Sequence, residues 1–374
     1  MSPWMRAEKV ENETHGVSMH KYLVISDLHL GVSRVGGTTA ESAQALREYL
    51  QESFKRLLEL ADDVLVNGDL FDSYRVPTSD LFNAYETISQ WLGAKSSRRI
   101  VLVPGNHCLS KNSQDLSSFE LMSRLLQSRY PDQVQYLQGA GWARDGIYVI
   151  SHVVNQEIFD LELSRVPGSA KYLLVHSNLD SKFAADAEHS LNLSRDQAKA
   201  ITAHGTIIVM GHEHQGREIM KGKVIVVGNQ VPSSCSDCMP HGDGQKNGTK
   251  RALIIEDGTH HFVPTWTDDG AEGWFARIDW RELKDVEEEG RGFVRVEGDA
   301  SEAEAADVIK AISAFRQRSK SFVVTNAVKV EQADSLEDIA ASIEDIRNVS
   351  VLELLLEQLE PAQQDAVRKL MACS

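Results

Sequence analysis

Short apolar runs and longer stretches of helical spacing alternate along this chain. Tyr22-Leu-Val-Ile-Ser26, Val64-Leu-Val66 and Arg99-Ile-Val-Leu-Val103 are nearly unbroken hydrophobic segments. Runs of this length without polar alternation predict strands buried on both faces. Between the first two, Ala45, Tyr49, Leu50, Phe54, Leu57 and Leu58 recur at helical spacing, which predicts a helix over 41–60. Helices are likewise predicted over 79–92 and 116–126. Further strands are expected at Ile147–Ile150, Tyr172–Val175, Ile207–Met210, Val224–Val227 and Ala252–Ile255. This rhythm predicts an α/β layered domain over residues 20–265.

The flanks differ in character. Residues 1–19 are polar and aperiodic, a polar N-terminal extension, and Met19 just before the first strand is a candidate alternative initiator. Residues 231–250, rich in Ser, Gly, Asp and Asn, predict an exposed, mobile loop. The segment 266–346 carries a strand at Phe293–Glu297, a helix over 303–316 and a strand at Phe322–Val330, followed by a helix over 336–346. The first three make a small β-α-β unit. Residues 347–374 predict two terminal helices, 350–359 and 362–371, with Pro361 suited to the first turn of the second. Val351, Leu352, Leu354, Leu355, Leu356 and Leu359 cover much of the first one, a surface for packing or for a partner helix.

Composition narrows the class. The chain has 374 residues, 42% hydrophobic and 25% charged, enough for a full core and for more than one domain. Lys and Arg number 39 against 55 Asp and Glu, a net charge of −16. That balance excludes a generally basic nucleic-acid-coating protein or a polybasic membrane binder, while leaving room for a local basic stripe or a metal site. No apolar stretch approaches the ~18 residues of a membrane span, and the N-terminus lacks a secretory pattern. Four cysteines do not make a disulfide scaffold, so a reducing cytoplasm is the expected compartment.

Polar clusters follow the strands. Ser26-Asp27-Leu28-His29, Gly68-Asp69-Leu70-Phe71-Asp72, Gly105-Asn106-His107, His176, and Gly211-His212-Glu213-His214 each come directly after an apolar run. Ligands of α/β sheets sit at the carboxyl ends of strands, so these clusters should converge in space. Asp, His and an Asn carbonyl make mixed oxygen and nitrogen ligation, suited to Mn, Fe or Zn rather than to a thiolate site. Two ions a few ångströms apart need a bridging carboxylate, and Asp69 is the natural candidate.

Asp-x-His, Gly-Asp, Gly-Asn-His, a lone His and Gly-His-x-His, in this order from 27 to 214, resemble the calcineurin-like metallophosphoesterase superfamily. The resemblance implies a layered metallophosphoesterase sandwich, central β-sheets flanked by helices, with a small α+β capping domain and C-terminal helices. It implies that Asp27, His29, Asp69 and His214 hold one divalent ion and that Asp69, Asn106, His176 and His212 hold the other. His107 matches the catalytic histidine that contacts the scissile phosphate or protonates the leaving oxygen. Gly68-Asp-Leu-Phe-Asp72 resembles the SbcD-like branch of bacterial and phage recombination nucleases, whereas the protein-phosphatase pattern fails at Ser73. The order of elements in the tail resembles that branch too, with 266–346 as the capping domain and 347–374 as partner-binding helices. One departure is Cys108, where the family usually has Asp.

What the resemblance implies is a two-metal-dependent DNA nuclease, a phosphodiesterase that serves as the nuclease subunit of an SbcCD-like repair and recombination complex. Mn²⁺ is the implied ion. The implied partners are DNA, an SbcC-like SMC-type coiled-coil ATPase and a second copy of the chain, with no membrane. No Gly-x-x-x-x-Gly-Lys-Ser/Thr occurs, so ATP hydrolysis would belong to the partner. Alternatives are a phosphoesterase for a small ester or nucleotide, and a non-catalytic DNA-end or ATPase-binding subunit, against which the complete ligand set argues. His152 also ends a strand but fills no slot and is read as structural. Cys235-x-x-Cys238 lacks the second pair that a structural zinc needs. Cys108 is read as packing rather than as a nucleophile.

Overall fold

The computed structural model describes residues 21–32, 40–109, 115–181, 190–238, 250–266, 275–286, 292–319 and 321–331. The N-terminal extension, the helix expected over 336–346 and the two terminal helices lie outside the described residues. The strands, in chain order, begin with β1 Lys21–Ile25, β2 Asp63–Asn67, β3 Arg99–Val103, β4 Val134–Tyr136, β5 Ala140–Arg144 and β6 Ile147–Ile150. They continue with β7 Tyr172–His176, β8 Asn178–Leu179, β9 Asn192–Leu193, β10 Ile207–Gly211, β11 Arg217–Ile219 and β12 Val224–Val226. The last are β13 Lys250–Glu256, β14 Thr259–Trp266, β15 Phe275–Asp279, β16 Phe293–Ser301 and β17 Phe322–Glu331. The helices are α1 Ala40–Leu58, α2 Thr78–Ala94, α3 Ser118–Arg129, α4 Gln156–Ser164, α5 Arg195–Ala203 and α6 Ala305–Arg318.

Two six-stranded sheets build the main body, in the orders β14-β13-β1-β2-β3-β4 and β11-β12-β10-β7-β6-β5. In the first, β1 to β4 run parallel and β13 and β14 close one edge antiparallel. In the second, β12, β10, β7 and β6 are parallel, with antiparallel β11 and β5 at the edges. The unbroken apolar runs are explained by burial on both faces. Val24, Leu65, Val101 and Leu253 of the first sheet meet Val149, Leu174, Val209 and Ile225 of the second in one cluster. The opposite faces pack outward: Leu23, Ile25, Val64 and Val66 against α1 to α3, and Leu173, Val175, Ile208 and Met210 against α4 and α5. The result is the mixed α/β sandwich expected from the sequence.

Helix starts follow local chemistry. The Ser117 hydroxyl accepts the Glu120 N–H at 3.0 Å to open α3. Ser194 and Gln197 form a reciprocal capping box at α5. Neither α4 nor α5 was expected from apolar periodicity, nor were β4, β5, β14 and β15.

The smaller C-terminal sheet has the order β15-β16-β17, all parallel, with α6 joining the last two. The predicted β-α-β unit is therefore present, with β15 added. One face of this sheet packs under α6 through Ile278, Val294, Val296, Val308, Ile312 and Phe315. At the other, Phe275 stacks on Phe293 at 5.4 Å and meets Tyr49 of α1 at 5.7 Å. Phe275 and Phe293 are thereby part of the main core, each stabilising the junction by about 1.5–3 kcal/mol of burial.

The loop after β12 departs from expectation. Val231, Ser233, Cys235 and Asp237 are buried rather than exposed. Its polar composition is matched by internal hydrogen bonds, which hold it against the body. The remainder of that loop, 239–249, lies outside the described residues.

Candidate metal centre

Five strand ends meet at one edge of the sandwich. The first sheet sends Asp27 and His29 from beyond β1, Asp69 from beyond β2, and Asn106 and His107 from beyond β3. The second sends His176, the last residue of β7, and His212 and His214 from beyond β10. The loops after β1 and β2 run side by side, with the N–H groups of His29 and Leu30 donating to the carbonyls of Asp69 and Leu70 at 3.1 and 2.8 Å.

The backbone is bent to bring these side chains in. Asp27, His29, Asp69 and His212 have φ of 54°, 50°, 45° and 85°. Non-glycine residues in the left-handed region are uncommon and cluster where function over-determines the local conformation. Gly68 precedes Asp69 with φ 90°, and a Cβ there would stand 2.1 Å from His176 Nδ1. A Cβ on Gly105 would stand 2.3 Å from Asp69 Oδ1. These two glycines let backbone and ligand side chains share one small volume.

Among the described residues, three groupings of donor atoms form within 4.8 Å: Asp27, His29 and His214; Asp69, His176 and His212; and His29, Asp72 and His107. In the first, His29 Nε2 and His214 Nε2 face each other at 3.0 Å. His214 Nδ1 lies 3.0 Å from Asp237 Oδ1, so this nitrogen carries the proton and Nε2 presents a lone pair. In the second, His176 Nε2 lies 3.0 Å from Asp69 Oδ2 and 3.1 Å from Asn106 Oδ1. Its Nδ1 donates to the Asn67 carbonyl at 3.0 Å. His212 Nδ1 is 2.9 Å from Asn106 Oδ1, and its backbone N–H donates to Asp27 at 3.0 and 3.1 Å. Lone pairs converging in this way call for a cation among them, and the donor set of carboxylate, imidazole and amide oxygen suits a borderline divalent ion.

The same carboxylates favour positive charge at the site. Burial works against a charge on His176, yet the carboxylates of Asp69 and Asp27 outweigh it and hold the imidazole pKa up at about 9. Burial also works against ionised Asp69, but His176, His29 and His107 hold its carboxyl well below the usual range. His29 is raised in spite of burial by Asp72, Asp69 and Asp27. Asp69 thus acts on both groupings, by contact on the second and through its charge on the first.

The candidates differ in access. Asp27, Asp69 and His176 are no more than 1% exposed. The side chains of His107 and His214 are each 35% exposed and form the open rim. His107 donates its backbone N–H to Asp69 Oδ1 at 3.0 Å, and its Nδ1 lies 2.6 Å from the Asp72 carbonyl. Nδ1 therefore carries a proton, and Nε2 is the nitrogen left for a substrate.

Sequence reasoning gave Asp72 no role, although Gly68-Asp-Leu-Phe-Asp72 contains it. Its carbonyl orients His107, and its carboxylate stands 3.4 Å from His29 Nδ1. His152 belongs to none of the three groupings. It is buried, and burial together with the neighbouring His176 pushes its pKa down to about 3, so it packs as a neutral ring. Cys108 is 2% exposed; burial and Asp69 push its thiol up, while backbone N–H groups of Gly105, Asp69 and Phe71 hydrogen-bond the sulfur. It is packed and inert, as expected.

No helix among the described residues is long and apolar enough to cross a membrane. No curated protein sequence matches the chain significantly. A family profile, calcineurin-like phosphoesterase, matches residues 20–234, more than half of the chain. The matched span takes in every strand end that contributes to the centre, and the chain belongs to the calcineurin-like phosphoesterase family.

Proposed function

We propose that this metal-dependent phosphoester hydrolase is a two-metal DNA nuclease, the nuclease subunit of an SbcCD-like repair and recombination complex. The observation that carries the hydrolase reading is the convergence of Asp27, His29, Asp69, Asn106, His176, His212 and His214, with His107 beside them on the open rim. Asp27, His29 and His214 would hold one ion and Asp69, Asn106, His176 and His212 the other, with Asp69 acting on both. Two divalent ions, Mn²⁺ in this reading, would supply Lewis acidity that activates water and offsets the negative charge growing on the phosphoryl oxygens.

The chain's own groups do the rest. Asn106 and the imidazoles fix the donor positions. Asp72 holds the His107 ring through Nδ1, which leaves Nε2 on the side of the centre, 4.0 Å from Asp69 Oδ2, where it would hand a proton to the leaving oxygen. Rim exposure leaves that nitrogen within reach of a phosphodiester.

Two features favour DNA within the family. One is the SbcD-like Gly68-Asp-Leu-Phe-Asp72 segment. The other is the parallel three-stranded unit packed on the main core, in the place where that branch carries a cap. Arg75, its side chain 71% exposed and only loosely paired with Asp115 at 3.7 Å, follows that segment and offers a phosphate contact. Phosphate contacts make binding salt-sensitive. Cleavage of linear or single-stranded DNA with Mn²⁺ is therefore expected, falling as salt rises. Hydrolysis of cyclic nucleotides or p-nitrophenyl esters with no cleavage of DNA would replace this reading with a small-ester phosphoesterase.

The proposed assembly is a homodimer bound to an SbcC-like coiled-coil ATPase, with residues 347–374 as the docking segment. Their removal is expected to spare Mn²⁺-dependent cleavage and to abolish co-purification with such an ATPase. Retained binding, or loss of fold by circular dichroism, would return those helices to the protein's own core.

A further inference from the structure

The buried strap after β12 ties the metal centre to the C-terminal sheet. His214 is held from several sides: Nδ1 by Asp237 Oδ1 at 3.0 Å, and its carbonyl by the Lys250 ammonium at 3.1 Å and the Asn229 N–H at 3.3 Å. The other Asp237 oxygen is occupied as well. Oδ2 accepts from Ser233 N–H and Ser233 Oγ, both at 2.9 Å, and from Ser234 N–H at 3.0 Å. A carboxylate anchored by three donors on one oxygen has a fixed plane, and it passes that orientation to the imidazole it accepts from.

Two residues earlier in the strap, Cys235 turns the other way. It is 4% exposed and sits in the core cluster that contains Phe275 and Phe293. The turn that carries it packs against β15 and β16. One short turn, Cys235–Cys238, therefore carries a contact to each side.

We propose that Asp237 is a positioning residue that sets His214 for one of the two metal ions, and that Cys235 anchors this residue to the C-terminal sheet. This rests on the metal reading above. A carboxylate on the distal nitrogen fixes the tautomer and raises the basicity of a ligating histidine, and loss of such a partner typically costs about 10–100-fold in metal affinity. The effect belongs to one ion, because His214 lies in the grouping with Asp27 and His29 and not in that of Asp69, His176 and His212, and His176 takes its distal partner from the Asn67 carbonyl.

The test titrates the full chain with Mn²⁺, followed by calorimetry and by loss of the free-ion EPR signal. Wild type is expected to show two sites. Asp237→Ala is expected to raise the Kd of one site about 10–100-fold and to leave the other within about threefold, with turnover restored by added Mn²⁺. Asp237→Asn keeps an acceptor but sets an amide against the Ser233 and Ser234 donors, and serves if the alanine variant does not fold. Its expected shift is the smaller of the two. Cys235→Ala is expected to weaken the same site and not the other. Unchanged affinities in a folded Asp237 variant, or equal losses at both sites, would overturn the positioning role. An unchanged site in Cys235→Ala would overturn the anchoring. Wild type that binds no Mn²⁺ would instead sink the metal reading and this proposal with it.

Discussion

Asp69→Ala is expected to abolish phosphoester hydrolysis and to lower the occupancy of both metal positions. Asp69 Oδ2 lies 3.0 Å from His176, and Oδ1 accepts the His107 N–H. Its charge also reaches His29, in the other grouping. Removing it takes away the carboxylate that touches one grouping and acts through its charge on the other, strips His176 of its nearest anion and frees the loop that carries His107. Losing even one preorganised electrostatic partner costs about 10²–10³-fold in turnover, so a larger loss is expected here. Elemental analysis of the purified variant checks this: two tightly bound ions per chain would contradict a shared role. Asp69→Asn, nearly isosteric, separates loss of charge from loss of volume.

His107→Asn is expected to keep both ions and lose about 10²–10⁴ in turnover, the range of general acid help. The ring is not among the proposed ligands, its backbone N–H can still reach Asp69, and its Nδ1 partner is a main-chain carbonyl that the substitution leaves in place. The loss should depend on the leaving group. A p-nitrophenolate departs without a proton, so that substrate should suffer far less than DNA. An equal loss on both substrates would assign His107 to phosphate binding rather than to protonation. A normal rate on DNA with intact metals would assign it to structure.

The convergence of these residues was legible in the sequence because each candidate ligand follows a strand whose two buried faces force an unbroken apolar run. Val64-Leu-Val66 could hardly be anything but a strand, and Asp69 lies just past its end. The edges of the sheets were not legible for the converse reason. β5 and β14 are only partly buried, and their polar residues dilute the pattern. The helix α5 announces itself through Ser194-Arg-Asp-Gln197, a capping signal independent of periodicity. Asp72 escaped because its contact with His107 is made by a carbonyl, which any residue could supply. The strap escaped because composition marks Ser and Asp as loop formers. Whether such a loop is buried is decided by non-local partners, here His214 and the strands β15 and β16.

The division of the proposed ligands between two sheets has a mechanical consequence. Asp27, His29, Asp69 and Asn106 come from one layer, and His176, His212 and His214 from the other. Ions shared between them act as a clasp across the seam, joining residues far apart in the chain in the manner of a long-loop crosslink. By mass action, an ion present at a hundred times its dissociation constant adds about 2.7 kcal/mol to the folded state. The proposed metal centre would thereby also be a fastener: a loss of ions that stops chemistry would also loosen one layer from the other.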